Sequence, residues 1–297
     1  MVDEAQRARK LRRHYDVPGA IRLRVAGGEV LAWLDGFEVA VRGVAAHPDD
    51  LPESRLGGRR PLRRLASVSR PLLVREYHKG GLLRHVRGRS MYGPLRPLRE
   101  LVLHRRLDAL GVPVVRAVAC VVLPRGLGWR GFLLVEEVVG ARDLEAVLYG
   151  FPVPGGVARG DALVRARRAV RCLHDAGVPH PDLHPKNILL APDGTVRLLD
   201  LDKARPADGL LDDRVRLANL VRMARSIEKH RMKGLRVDVR DALRFLEGYA
   251  GTRPAAALWL RRIRQRLAPG LLPRRVWWRL LGEARPWRPP RGGDHAS

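Results

Sequence analysis

Up to about residue 80, short apolar segments alternate with polar positions and are separated by glycine and proline. This period of two, broken by turn residues, is typical of half-buried β-strands. The pattern predicts strands at Ile21–Val25, Val30–Trp33, Phe37–Val41, Leu65–Val68 and Leu72–Tyr77. We therefore expect the first part of the chain to be rich in β-structure.

Helical spacing begins near residue 95. Apolar residues recur at intervals of three and four between Leu95 and Leu110, and Gly111-Val112-Pro113 would end that helix. The pattern then predicts strands at Ala117–Leu123 and Gly131–Val138, a loop at Gly150–Gly156 and a helix from about Asp161 to Ala176.

A short hairpin and a long helical region complete the pattern. The predicted strands Ile188–Leu190 and Val196–Leu199 flank the turn Pro192-Asp193-Gly194. From Asp212 the apolar spacing is helical almost to the end of the chain. The order of elements predicts an α+β fold of two lobes, a β-rich lobe over residues 1–139 and a mainly helical lobe over residues 140–297.

The chain carries a large excess of basic residues. The 57 lysines and arginines outnumber the 31 acidic residues, which gives a net charge of +26, and all but six of the basic residues are arginine. This excess favours an anionic partner such as phosphate, nucleic acid or an acidic membrane face, although a GC-rich genome would also enrich arginine. The two interpretations are compatible.

The cysteines and the hydropathy of the chain indicate the cellular compartment in which the protein works. Cys120 and Cys172 lie far apart among apolar residues, which fits a reducing environment without disulfides or a thiolate metal site. The N-terminal stretch is charged and no apolar segment of signal-peptide length follows it. No apolar run approaches the ~20 residues that span a bilayer. These features predict a cytoplasmic protein that at most rests on a membrane surface.

The stretch HPDLHPKNILL, from His180 to Leu190, concentrates polar groups before a predicted buried strand. His180 and His184 have the spacing of zinc ligands on a helix, but the prolines at 179, 181 and 185 exclude that helix. Nucleophilic catalysis is disfavoured too, because no GxSxG motif surrounds Ser67, Ser69, Ser90 or Ser226, and no Walker-type phosphate loop is present.

Phosphoryl transfer of the protein-kinase type remains. It needs an aspartate that accepts the proton of the acceptor hydroxyl and an asparagine five residues later that holds magnesium, and Asp182 and Asn187 have that spacing. Asp200 ends the next strand, where a second metal ligand is required. His180 is expected to fix the loop, whereas Lys186 is either a contact to the γ-phosphate or a solvated surface lysine.

The nucleotide side of such a site needs a cation held by a glutamate of the first long helix. Glu100 is the candidate glutamate, and Arg75 on the strand LLVREY is the preferred cation, with Lys79 as the alternative. Strand alternation places Leu73, Arg75 and Tyr77 on one face. Gly57 and Gly58 could form a tight turn over phosphates or an ordinary hairpin turn.

These residues resemble the bacterial lipopolysaccharide kinases, a family that includes kinases of 3-deoxy-D-manno-octulosonic acid (Kdo) and of heptose. The resemblance runs from about Leu72 to Lys229 and lies in four segments: LVREYHKGGLLRHV, RELVLHRRLDALGVPVVRAVA, HPDLHPKNILL with VRLLDLDKAR, and RVRLANLVRMARSIEK. Residues 1–55 and the tail beyond about 250 show no clear counterpart.

The resemblance implies a protein-kinase-like bilobal fold with ATP and Mg²⁺ as cofactors. It implies that Asp182 is the catalytic base, that Asn187 and Asp200 bind metal, and that Arg75 pairs with Glu100. The implied acceptor is the Kdo 4-hydroxyl of Kdo-lipid A or a similar anionic glycolipid, at the cytoplasmic face of the inner membrane. Asp200-Leu201-Asp202 replaces the DFG motif of protein kinases, and no APE motif or long activation segment follows before the helix predicted near Asp212. These departures disfavour a peptide acceptor.

Other interpretations remain open from sequence. The same fold could phosphorylate heptose, another small molecule or a protein, or the chain could be a non-catalytic module that binds anions. Nucleic acid is the less expected partner, and the oligomeric state is not predicted. The tail combines Trp259, Trp277 and Trp278 with many arginines, so it either contacts an anionic membrane or completes the helical core.

Overall fold

The computed structural model describes residues 4–54, 62–65, 70–77, 95–126 and 128–280, with side chains described as far as residue 268. Two compact units divide the chain. Among the described residues, the first contains those up to Ala109 together with Val115–Glu137, and the second contains Leu110–Val114 and those from Val138 to Leu280.

The first unit is built from six strands and three helices among the described residues. In chain order these are α1 (Glu4–His14), β1 (Ile21–Ala26), β2 (Glu29–Leu34), α2 (Glu38–Ala46), β3 (Arg63–Leu65), β4 (Leu72–Glu76), α3 (Arg96–Ala109), β5 (Ala117–Arg125) and β6 (Gly128–Glu136).

The strands form one antiparallel sheet in the order β1-β2-β5-β6-β4-β3. The central strand β5 is buried from Ala117 to Leu123, as its continuous apolar run predicts for a strand covered on both faces. The N-terminal hairpin of β1 and β2 extends the sheet, because Val30–Trp33 pair with Ala119–Val122. The sheet therefore reaches well beyond the part of the chain that carries the sequence motifs.

One strand prediction is wrong. Residues Phe37–Val41 do not form a strand, because α2 begins at Glu38. Phe37, Val41 and Val44 are buried at spacings of four and three, whereas Val39, which an alternating strand would have placed with Phe37, is 79% exposed. The helical period explains the burial, and the short alternating window concealed it.

Helix α3 places a buried face against the sheet. Leu98, Leu101 and Leu107 are almost fully buried, and so are two polar residues on the same helix, Glu100 and His104. A buried carboxylate is costly unless charge and hydrogen bonds compensate it. The position of Glu100 therefore points to a partner of opposite charge.

The second unit is mainly helical. Its elements are β7 (Arg142–Asp143), α4 (Leu144–Leu148), α5 (Arg159–Asp175), β8 (Ile188–Leu190), β9 (Val196–Leu198), α6 (Asp213–Arg231), α7 (Val239–Ala250) and α8 (Arg253–Leu280), with single 3₁₀ turns at Pro154–Gly156 and Pro185–Asn187. Strands β7, β8 and β9 form a small antiparallel sheet, and the predicted hairpin between β8 and β9 is confirmed.

A buried polar network joins three helices of this unit. The His174 side chain on α5 contacts the Tyr249 hydroxyl on α7 at 2.6 Å and Asn219 Oδ1 on α6 at 3.2 Å. Arg216 of α6 donates to Asp175 Oδ1 at 2.8 Å. Each of these buried polar side chains has a hydrogen-bond partner. The network therefore fixes the positions of the three helices, and the burial of its polar groups does not destabilise the core.

Trp259 of α8 packs edge-on against Tyr249, with ring centroids 5.7 Å apart, and is largely buried. Of the two interpretations of the tail, core packing is the correct one for this tryptophan. The side chains of Trp277 and Trp278 lie outside the described residues. Among the helices described, none is long and apolar enough to cross a membrane.

Candidate active site

The loop before β8 is organised by a buried histidine. His180 has no exposed surface, and its ring Nε2–H donates to the Leu199 carbonyl at 2.8 Å. Its Nδ1 accepts from the Asp182 backbone N–H at 3.3 Å. Burial lowers the pKa of His180, which matches a neutral ring with one donor and one acceptor nitrogen. His180 therefore fixes the loop, as predicted, and orients the backbone of Asp182.

Asn187 closes the same loop. Pro185 starts a single 3₁₀ turn that ends at Asn187, whose Nδ2 donates to the Asp182 carbonyl at 2.9 Å. Among the described residues no hydrogen bond uses Asn187 Oδ1, so the amide oxygen is the atom left for another ligand. The loop thus holds Asp182 and Asn187 by direct contact.

Asp200 is brought to this loop through its neighbour. The Leu199 backbone N–H donates to the Asn187 carbonyl at 2.9 Å, and the Leu199 carbonyl accepts from His180. Asp200 follows directly, with an exposed side chain and a φ of +60°. A non-glycine residue in this left-handed region is uncommon and often marks a functional site.

The carboxylate of Asp182 lies between an imidazole and a guanidinium. Its Oδ2 is 3.5 Å from His184 Nε2 and its Oδ1 is 3.4 Å from Arg222 Nη1. The hydrogen bond with His184 is the largest influence and lowers the pKa of Asp182, with the Arg222 charge acting in the same direction. His184, which first suggested zinc, instead contacts both Asp182 and Asn187.

Two residues of α6 that hold the loop are not part of any catalytic motif in the sequence. Asn219 Oδ1 accepts from the His180 backbone N–H at 2.6 Å, and Arg222 Nε donates to the Pro181 carbonyl at 2.6 Å. Asn219 carried a usable signal, since it falls on the apolar face of α6 beside Leu220, where a polar residue needs a partner. Arg222 carried none, because it is one of many exposed arginines.

In the first unit, Arg75 and Glu100 are paired. The guanidinium of Arg75 on β4 contacts Glu100 Oε2 on α3, and the Tyr77 hydroxyl donates to the same oxygen. Arg75 Nη2 also donates to that hydroxyl at 2.9 Å, and its Cζ lies 4.9 Å from the centroid of the Tyr77 ring. The Arg75 to Glu100 pair, with Tyr77 on the same strand face, is thus present, whereas Gly57, Gly58 and Lys79 lie outside the described residues.

The charge of Glu100 is stabilised by its surroundings. Burial alone would raise its pKa, but the Arg75 charge, together with His104 and Tyr77, outweighs burial and lowers the pKa to about 2. Oε1 of Glu100 is 3.6 Å from His104 Nε2, which is too long for a hydrogen bond. Glu100 is therefore an ionised residue at neutral pH and fixes Arg75.

Lys186 lies beside the loop but contacts a different residue. Its Nζ is 3.4 Å from Oε1 of Glu145 in α4, and its side chain is half exposed. The predicted contact between Lys186 and a phosphate remains a prediction.

The donor atoms of the second unit suit magnesium. An amide oxygen from Asn187 and a carboxylate from Asp200 are hard oxygen ligands, and Mg²⁺ at phosphate sites takes one or two carboxylates, with water and phosphate oxygens as the other ligands. No group of three or more His, Cys, Asp or Glu residues suited to a metal occurs among the residues described, so a dedicated protein cage is absent from that part. Together with the ionised Asp182, this donor set is of the type that serves phosphoryl transfer.

A family model covers the part of the chain that contains these residues. The model described as the lipopolysaccharide kinase (Kdo/WaaP) family matches residues 53–249. This range includes Asp182, Asn187 and Asp200 as well as the pair of Arg75 and Glu100. The chain belongs to this family, and the predicted family is confirmed.

Curated relatives carry the name 3-deoxy-D-manno-octulosonic acid kinase. One from Vibrio cholerae is 34% identical over 162 residues, covering 50% of this chain and 66% of the relative. One from Xanthomonas campestris pv. campestris is 33% identical over 177 residues, with coverage of 56% and 66%. One from Xanthomonas oryzae pv. oryzae is 35% identical over 168 residues, with coverage of 54% and 62%. The chain matches slightly less than two thirds of each.

A solved structure supports the fold. The chain is similar to the structure titled "WaaP in complex with acyl carrier protein", with a TM-score of 0.54 and 23% identity over 80% of this chain and 97% of that one. At this identity the likeness concerns the fold, and the predicted α+β kinase-like class is confirmed.

Proposed function

We propose that the protein is an ATP-dependent sugar kinase that phosphorylates a hydroxyl of Kdo on a lipid A-linked lipopolysaccharide precursor. One observation carries the proposal: the hydrogen bonds of His180 and Asn187 to Leu199 join the loop of Asp182 to the segment after β9 that contains Asp200. Membership of the lipopolysaccharide kinase family and the names of the relatives support the acceptor class.

Asp182 acts as the base in this reaction. The acceptor hydroxyl oxygen forms a bond to the γ-phosphorus, the bond from that phosphorus to the β,γ-bridging oxygen of ATP breaks, and the hydroxyl proton passes to the Asp182 carboxylate. The contacts with His184 and Arg222 keep that carboxylate ionised and therefore able to accept the proton. ADP leaves with the bridging oxygen.

Asn187 Oδ1 and Asp200 would hold Mg²⁺, which when bound neutralises charge on the β- and γ-phosphates. Arg75 would bind a nucleotide phosphate, and Glu100 with Tyr77 keeps its guanidinium fixed. Arginine suits this task because its planar guanidinium offers several donors to phosphate oxygens. The role of Gly57, Gly58 and Lys79 in covering the phosphates remains a sequence prediction.

We also propose that the enzyme works at the cytoplasmic face of the inner membrane, bound to its anionic surface. A net charge of +26 attracts both the phosphates of lipid A and acidic lipids. On α8, Arg261, Arg262, Arg264 and Arg266 are all exposed. These arginines offer a cationic face for a peripheral contact.

The direct test is turnover of Kdo-lipid A. Incubation with ATP and Mg²⁺ is expected to add the mass of one phosphate to the lipid, and Asp182→Asn is expected to lower kcat by about 10²- to 10⁴-fold, the range for loss of a general base. Asp208→Asn, an equivalent change at an exposed aspartate, serves as the control. Equal turnover by wild type and Asp182→Asn would refute the assignment of the base. Phosphorylation of heptose acceptors alone would refute Kdo as the acceptor.

A further inference from the structure

Arg222 of α6 is anchored to the loop of Asp182 by one of its three side-chain nitrogens. Its Nε donates to the Pro181 carbonyl at 2.6 Å, and its Nη1 lies 3.4 Å from Asp182 Oδ1. Among the described residues, no hydrogen bond uses either terminal nitrogen of the guanidinium. The Nε contact therefore holds the guanidinium in place, while the N–H groups of Nη1 and Nη2 keep their capacity to bind an acceptor atom.

The guanidinium is accessible to a ligand. The side chains of Arg222 and Asp182 are each about half exposed. In the part of the chain that the structure describes, Asp182 is the one acidic residue within ion-pair distance of Arg222. A ligand can thus reach the terminal nitrogens from solvent, and the contact with the Pro181 carbonyl can remain in place.

The two carboxylate oxygens of Asp182 face different parts of the site. Oδ2 is 3.5 Å from His184 Nε2, and the same nitrogen is 3.3 Å from Nδ2 of the proposed metal ligand Asn187. Oδ1 is the oxygen beside Arg222. In phosphoryl transfer the nucleotide phosphates lie with the metal, whereas the acceptor hydroxyl lies at the base. Arg222 contacts the oxygen of the base that is not beside the metal-ligand side chain, and this position suits the acceptor.

Arg222 is not required to keep Asp182 ionised. The hydrogen bond with His184 is the largest influence that lowers the pKa of Asp182, and the Arg222 charge only adds to it. A general base becomes weaker when its pKa lies far below the working pH, so a second cation beside it works against proton transfer. An anion that binds Arg222 together with the acceptor would offset this charge and make Asp182 the stronger base when the acceptor is in place.

We propose that Arg222 binds the carboxylate of a sugar acid in the acceptor and thereby determines the specificity of the kinase for an acidic sugar. A guanidinium suits this ligand because its planar fork of N–H groups can bind both oxygens of a carboxylate. Kdo is a sugar acid, whereas heptose, the alternative acceptor that the sequence left open, has no carboxylate. The inference deepens the proposed function and rests on it for the presence of a sugar acceptor.

Two acceptor analogues separate carboxylate binding from support of the loop. One is the methyl glycoside of Kdo, and the other is its carboxamide, which keeps a planar group but has no negative charge. Neither contains a phosphate, so a lipid phosphate cannot cause a difference between them. Arg222→Gln removes both terminal nitrogens and keeps an N–H at the position of Nε along the side chain, where it can still bind the Pro181 carbonyl. Arg214→Gln, at an exposed position of the same helix, is the matched control.

Titration of each glycoside, followed by NMR of the ligand signals, gives dissociation constants without turnover. The wild type is expected to bind the acid about 10- to 100-fold more tightly than the carboxamide, the effect of one charged hydrogen-bonded contact. Arg222→Gln is expected to lose most of this preference, and Arg214→Gln is expected to keep it. Equal affinities of the wild type for the two glycosides, or no binding of either, would overturn the proposal. An unchanged preference in Arg222→Gln would show that Arg222 only supports the loop.

Turnover of Kdo-lipid A provides the second readout. Arg222→Gln is expected to raise the KM for the lipid by about tenfold or more, for the same loss of a charged contact, and to leave the KM for ATP unchanged. A higher KM for ATP with an unchanged KM for the lipid would assign Arg222 to the transferred phosphate and overturn the proposal.

The two readouts separate this inference from the proposed function. Turnover of Kdo-lipid A with equal binding of the two glycosides would leave the kinase function in place and refute the role of Arg222. A preference for the acid that depends on Arg222, without any turnover, would support the role of Arg222 and refute the function as a kinase of Kdo-lipid A.

Discussion

Arg75 is a guanidinium on the strand where protein kinases carry a lysine ammonium, and its surroundings explain how the site accommodates it. The side chain contacts Glu100, the Tyr77 hydroxyl and the face of the Tyr77 ring. Arg96 lies over the same ring, with Cζ 5.4 Å from its centroid. Tyr77 therefore contacts both members of the pair, because its ring lies against the Arg75 guanidinium and its hydroxyl donates to Glu100.

Arg75→Ala and Arg75→Lys test this pair. Arg75→Ala leaves Glu100 buried without its main cation, so we expect a loss of about 3 kcal/mol in the free energy of unfolding and a higher KM for ATP. Arg75→Lys keeps a cation on the strand and is expected to retain most of the stability and most of the affinity for ATP. Urea denaturation and ATP kinetics provide the measurements. An unchanged KM for ATP in Arg75→Ala would assign the phosphate contact to another cation, with Lys79 as the sequence alternative.

At the scale of elements, helix α6 links the loop to the helical core. Asn219 receives the His180 backbone N–H and the His174 ring, and Arg222 holds the Pro181 carbonyl. Helix α6 thus connects α5 and α7 to the residues that flank Asp182.

Asn219→Ala is expected to lower kcat with little effect on the KM for ATP, because the loop would lose a backbone anchor and no substrate contact. A buried N–H without a partner should also cost about 1–3 kcal/mol of stability. Arg225→Ala, at an exposed position of the same helix, is the control. Loss of stability with an unaltered kcat, compared at a temperature where both variants are folded, would mean that Asn219 supports the core alone.

The sequence was sufficient to predict the elements whose apolar residues recur with a strong period. It was also sufficient to predict the loop in which Asp182 and Asn187 lie close together in the chain. The run from Ala117 to Leu123, the helix from Leu95 and the β8 to β9 hairpin were recognisable because each is determined by neighbouring residues. Helix α2 was mistaken for a strand over five residues, too short a window to separate the two periods. The contacts of Glu145 and Asn219 could not be predicted, since they depend on tertiary packing between distant parts of the chain.

At the scale of the whole molecule, buried histidines link stability to pH. His174 and His230 have pKa values lowered to about 4, with burial as the leading cause for each. Between their unfolded value of about 6.5 and pH 4 the unfolded chain binds more protons, so stability falls as the pH is lowered through this window, by up to about 1.4 kcal/mol per pH unit for each group.

Urea denaturation between pH 7 and pH 4 measures this slope. His174→Gln is expected to reduce this slope relative to wild type. Equal slopes in the two proteins would show that His174 does not contribute to the dependence of stability on pH.

The positive charge of the molecule gives a separate expectation for lipid binding. Replacing Arg261, Arg262, Arg264 and Arg266 by glutamine should weaken binding to anionic vesicles by at least about tenfold, given ~1 kcal/mol for each cation near the surface. The control replaces four exposed arginines elsewhere, Arg7, Arg13, Arg214 and Arg240. Vesicle sedimentation at fixed salt compares the two, and equal losses would indicate general charge attraction without a preferred face.

The pairing of β2 with β5 has a consequence for shortening the chain. The family model begins at residue 53, which suggests the preceding segment as a natural part to remove. Yet Val30–Trp33 cover the hydrogen-bonding groups of Ala119–Val122, on the most deeply buried strand of the first unit. A chain trimmed to the family boundary would present that apolar strand with an open edge, a template for intermolecular pairing and aggregation. A chain that keeps the N-terminal hairpin is therefore expected to stay soluble at concentrations where the trimmed chain aggregates.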